Sequence, residues 1–87
     1  MKELTTFDEC LGDVIKGEIA IKGLRREDVA RKLYVSNSSF NRMLNGKSQW
    51  KAEHLYNICK ILDIYMEQIC DKAAERTDFS WERLLRS

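Results

Sequence analysis

The sequence contains no proline. The strongest helix breaker is therefore missing throughout, and four glycines leave few other interruptions, which favours an all-helical chain. Long apolar runs are also missing. No stretch approaches the roughly 18 residues a membrane helix needs. The opening MKELTTFDEC is acidic and has no apolar segment, so neither a membrane span nor a secretory signal is expected. Cysteine is sparse: Cys10, Cys59 and Cys70 are odd in number and form no CxxC, which speaks against a disulfide framework. They read as buried or half-buried thiols of a cytoplasmic protein. His54 is the lone histidine and reads as a surface helix residue, so no metal site is expected. There is no Ser-His-Asp or Cys-His spacing and no phosphate-binding loop, so no catalytic residue, cofactor or small-molecule ligand is assigned, and an enzyme is not expected.

What is present suits one small globular domain. The chain has 87 residues, of which 44% are apolar and 33% charged, enough for a modest core and too apolar for disorder. The net charge is only +1, but it is unevenly distributed. Residues 1–21 carry two basic and five acidic side chains, residues 22–51 eight and two, and residues 52–87 five and seven. A basic middle between acidic ends suits an anionic partner.

Apolar periodicity places about five short helices in a compact all-α bundle. The first begins at Thr5 or Thr6, where Thr6 and Glu9 fit a capping box, and carries Phe7, Leu11, Val14, Ile15 and Ile19 at helical spacing before Gly23 ends it. The second covers about Arg26 to Leu33, with Val29, Ala30 and Leu33 inward and Glu27 and Asp28 in the first turn, where the helix dipole favours acids. Ser36 is a good N-cap for the third, whose inner side is Phe40, Met43 and Leu44, with Gly46 after Asn45 closing it. The fourth spans about Lys51 to Leu62 and the fifth about Tyr65 to Ala74. A final segment, DFSWERLLRS, is capped by Asp78 and carries Phe79, Trp81, Leu84 and Leu85, enough for a sixth helix. The natural division is a domain over residues 1–75 and a C-terminal segment over 76–87 that either completes the core or forms a dimer contact.

Within this pattern, REDVARKLYVSNSSFNRMLN (residues 26–45) resembles the helix-turn-helix of the lambda-repressor-like (Cro/C1, XRE) family. Ala30 allows close helix crossing, while Leu33, Val35, Phe40 and Met43 fill the angle between the two helices. LNGK at 44–47 and LDIYMEQI at 62–69 are similar to the family's continuations, so the likeness covers about residues 7 to 70. Several positions depart from the pattern. Tyr34 stands where the turn glycine is usual, a site of positive φ that costs a bulky residue about 1–2 kcal/mol. Arg25 and Arg26 replace the usual Thr cap and Gln, Leu44 replaces a Glu, and Trp50 stands near an absent proline as a packing residue of the loop.

The resemblance implies double-stranded DNA as partner, with the third helix in the major groove. It assigns base reading to Asn37, Ser38 and Arg42, with Asn37 suited to adenine and Arg42 to guanine. Ser39 and Asn41 are placed within reach of bases or phosphates. Phosphate contact falls to Arg26, to the Asn45-Gly46-Lys47 corner, and to Lys51. The function it implies is a small repressor acting by operator occlusion, as a homodimer. The alternatives are an antitoxin built on the same fold, or a protein-interaction module that has lost DNA binding.

Overall fold

The computed structural model describes residues 7–76, and these form five α-helices. They are α1 (Phe7–Ile21), α2 (Arg26–Lys32), α3 (Asn37–Leu44), α4 (Ala52–Leu62) and α5 (Met66–Arg76). The all-α, five-helix expectation holds. The proposed Thr6 cap and the final segment with its sixth helix lie outside the described residues. No described helix is long and apolar enough to cross a membrane.

The boundaries shift where local geometry takes precedence over periodicity. Leu33 is the C-cap of α2 and lies outside the helix. Lys51 is the extended N-cap of α4, without a side-chain cap bond, so that helix starts one residue later than expected. The fifth helix starts one residue later as well, at Met66, and continues to Arg76, two residues past Ala74. Arg25, extended and without a side-chain cap bond, opens α2 as the sequence implies.

Four helix ends close in one way. A residue one or two places past the helix takes positive φ, and two backbone N–H groups return to carbonyls of the last turn. Its occupants are Gly23, Tyr34, Gly46 and Asp63. At the end of α2, Val35 N donates to Ala30 O and Tyr34 N to Arg31 O, both at 3.1 Å. Tyr34 has φ 59°, so the strained turn position inferred from the sequence is occupied by tyrosine.

One apolar core gathers the inner faces of all five helices. Its largest fully enclosed side chains are Phe40, Ile15, Leu44, Ile58, Leu62, Ile69, Val29 and Cys10. α1 lies along α5 and against α3, and Lys72 of α5 bonds Glu18 of α1 at 3.1 Å. Phe7, expected on the inner face by spacing, is 43% exposed, and His54 is half-buried. Cys10 and Cys59 are buried and Cys70 half-buried, all as free thiols. Burial pushes each thiol above its ordinary pKa; Asp13 adds to this at Cys10, the Cys70 thiol at Cys59, and Asp71 at Cys70.

Candidate nucleic-acid interface

The basic middle of the chain folds into α2, α3 and the loop to α4. α3 begins where Ser36 turns its hydroxyl back over the first turn: Ser39 N donates to Ser36 Oγ at 3.1 Å. Ser36 Oγ also lies 3.0 Å from Ser39 Oγ, so the Ser39 hydroxyl already has a partner within the cap. The inner face of α3 is Phe40, Met43 and Leu44, all buried. Helical geometry then leaves Asn37, Ser38, Asn41 and Arg42 as one outward stripe, and all four are exposed. No acid occurs in α3.

Arg26, the first residue of α2, meets this stripe at its N-terminal end. It lines a cavity of about 200 Å³ together with Glu27, Asn37, Phe40 and Asn41. Arg26, expected at phosphate, thus shares one hollow with Asn37, expected to read a base, and Asn41, expected within reach of a base or phosphate. Glu27 is there too, an acid that sequence pattern had placed only by its effect on the helix dipole.

The other end of α3 carries the Asn45-Gly46-Lys47 corner. Asn45 is the C-cap. Gly46 has φ +74° and its N–H donates to Met43 O at 3.2 Å, while Lys47 N donates to Arg42 O at 2.9 Å. The backbone at Gly46 lies against Glu9 of α1, and a Cβ there would overlap Glu9 Cγ. One turn further along α1, Gly12 faces the Leu44 carbonyl so closely that a Cβ would overlap its oxygen. Both contacts seat α1 on the end of α3.

Three polar contacts organise the corner further. Lys16 Nζ of α1 donates to Asn45 Oδ1 at 3.3 Å and pairs with Asp13 at 3.4 Å. Arg42 Nε lies 3.5 Å from Ser48 Oγ, so the guanidinium leans towards the loop. Trp50 is buried, its ring edge-on to Phe40 at 6.3 Å, and its Nε1 donates to Met43 O at 3.1 Å. That anchor ties the loop down onto α3. Lys47 and Lys51 are exposed on either side of the loop, and Lys51 stands apart from the cavity at Arg26.

The structure gathers Arg26, Asn37 and Asn41 at the α2–α3 hollow and Arg42, Asn45, Gly46 and Lys47 at the corner after α3, while Ser38 and Ser39 lie on the exposed side of α3 and Lys51 caps α4. Lys16, Glu27 and Ser48 were missed from sequence. Lys16 is 29 residues from Asn45 in the chain and sat in an acidic block, so no local signal pointed to it.

The Cro/C1-type helix-turn-helix DNA-binding domain model matches residues 15–75. No curated protein sequence matches the chain. Two crystal structures of the clp gene regulator ClgR from Corynebacterium glutamicum share the fold. One is 21% identical with a TM-score of 0.83, over 88% of this chain and 99% of that one. The other is 22% identical with a TM-score of 0.78, over 82% and 76% respectively.

Proposed function

The chain belongs to the Cro/C1-type helix-turn-helix DNA-binding domain family, and from that premise we propose that it is a sequence-specific transcription regulator that represses by covering its operator. The observation that carries this reading is the outer stripe of α3. Its side chains are short amides, hydroxyls and one arginine, with no acid to repel phosphate. In the major groove Asn37, Ser38 and Arg42 read base edges, with Asn37 matched to adenine and Arg42 to guanine. Asn41 reaches a base or phosphate beside them. Ser39, whose oxygen accepts from Ser36 Oγ, keeps its own O–H for a base or phosphate. Arg26, Asn45, Gly46, Lys47 and Lys51 grip the backbone on both sides and set the register. The setting is the cytoplasm.

Selection of bound sequences from a random duplex pool tests this. Enrichment of one short motif is the expected result. A chain that retains no duplex above background, or retains all sequences alike, refutes sequence-specific binding.

The active form in this reading is a homodimer. One domain of this size covers a single half-site and makes few contacts. Residues 77–87 hold Phe79, Trp81, Leu84 and Leu85, a large apolar content for so short a segment. A two-fold pair would set the recognition helices about 34 Å apart and select a palindrome with half-sites about 10 base pairs apart. Truncation after Arg76 is expected to leave a folded monomer with much weaker DNA binding. Sedimentation decides: a strict monomer of the full chain at tens of micromolar, with a non-palindromic selected site, removes the dimer.

A further inference from the structure

We propose that Lys16 is a positioning residue for DNA binding, which turns the Asn45 carboxamide so that its NH2 group faces a backbone phosphate. The inference rests on the DNA-binding reading above and adds a residue of α1 to it.

The argument begins with donors and acceptors. A lysine ammonium has three donors and no acceptor. It lies 3.3 Å from the side chain of Asn45, so only the oxygen end of that carboxamide can face it. The nitrogen, with two donors, is then turned the other way. A phosphate oxygen accepts and never donates, so this is the orientation that a phosphate contact at Asn45 requires. The opposite orientation would set carbonyl oxygen against phosphate oxygen. Without a donor-only neighbour the carboxamide is free to take either.

The ammonium is itself held. Asp13, one turn earlier on α1, pairs with it at 3.4 Å. The distance between α1 and the end of α3 is set by backbone contact at Gly12 against Leu44, with Glu9 packed on Gly46 beside it. Lys16 therefore meets Asn45 across a closely packed seam. The Lys16 side chain is only 30% exposed, and its charge is partly answered by Asp13, so orienting Asn45 fits its surroundings better than direct capture of phosphate.

The test is a double-mutant cycle read on DNA, with a second readout on the free protein. Lys16→Met keeps the aliphatic stem and removes the donors. It should weaken binding to the selected site and to random duplex alike, by about three- to tenfold, the worth of one hydrogen bond. In an Asn45→Ala background the same change should cost less than about twofold, because the group it orients is gone. Lys16→Arg, still donor-only, should stay within about twofold of the wild type. The salt dependence of affinity should be unchanged by Lys16→Met. A slope lower by about one would mean that Lys16 touches phosphate itself, and would overturn the positioning role. Equal losses in the wild-type and Asn45→Ala backgrounds would overturn it as well. In the free chain, Lys16→Met should move the Asn45 side-chain amide resonances and leave core signals in place; an unmoved Asn45 pair refutes the contact. A wild-type chain that binds no DNA would instead refute the DNA-binding reading, with the amide resonances still judging the Lys16–Asn45 lock by itself.

Discussion

Replacing Tyr34 with glycine removes a side chain from a backbone conformation that disfavours it. Tyr34 sits at φ 59° and is 95% exposed, so its ring has almost no buried surface to lose. Left-handed geometry costs a residue with a Cβ about 1–2 kcal/mol. Glycine returns part of that gain, because its unfolded chain has more freedom to lose, by about 0.5–1 kcal/mol. The net expectation is a stabilisation of about 0.5–1 kcal/mol. For a domain of this size each kcal/mol moves the melting temperature by about 4–8 °C, so the rise should be about 2–8 °C. Thermal and urea unfolding followed by circular dichroism measure it, with Tyr34→Ala as comparator. Alanine keeps the Cβ and should stay within about 0.5 kcal/mol of the wild type. A fall in melting temperature for Tyr34→Gly refutes the reasoning. So does an equal gain from alanine, which would trace the effect to the ring and not to the backbone.

Arg42→Ala should cost about 1–3 kcal/mol on the selected site and relax the preference at one base pair, as judged by repeating the selection with the variant. Unchanged preference would move Arg42 to the loop side, where Ser48 already draws it. Lys47→Ala should weaken all sequences alike and lower the salt slope by about one, measured by titrations across a salt series. The thiols give a pH prediction. Their folded pKa values are raised, so the folded chain keeps protons that the unfolded chain releases as pH climbs past about 8.5. Their contribution to stability is thus fully present below that value and declines above it, up to the raised values. Alkylation of Cys10 and Cys59 at pH 8 should be much slower in the folded chain than in urea; equal rates would contradict the burial described.

The parts of the fold that were legible in the sequence are the local ones. Ser36 could be recognised as a cap because an exposed polar run follows it and Phe40, Met43 and Leu44 turn inward at helical spacing. Tyr34 could be placed at positive φ because the positions around it fix the register of the turn. Helix ends moved by a residue or two, as at Ala52 and Arg76, since periodicity marks faces better than ends. Phe7 continued the apolar spacing of α1, yet as the first residue of that helix it is exposed. The seam between α1 and α3 was not legible at all. Glycine at 12 looks like a weak point in a helix until the Leu44 carbonyl is seen against it. Lys16 looks like a stray base among acids until Asn45 is seen beside it. The Trp50 indole bond to Met43 O is likewise made by the return of the chain, and nothing in the loop sequence announces it.

The two glycine contacts also make α3 mechanically uneven. An interposed side chain acts as a spring, because its torsions yield before the backbone does. Where Gly12 meets the Leu44 carbonyl there is no such spring, only a hard stop, whereas at Gly46 the nearest neighbour is the Glu9 side chain. The opposite end of α3 borders the small hollow that Arg26 and Glu27 of α2 share with Asn37 and Asn41. Backbone-to-backbone packing on α1 thus falls at the C-terminal end of α3, away from the end that carries Asn37 and Ser38. A Cβ at Gly12 would drive the two backbones apart at that point, so Gly12→Ala is expected to displace the corner from α1 and to lower the melting temperature.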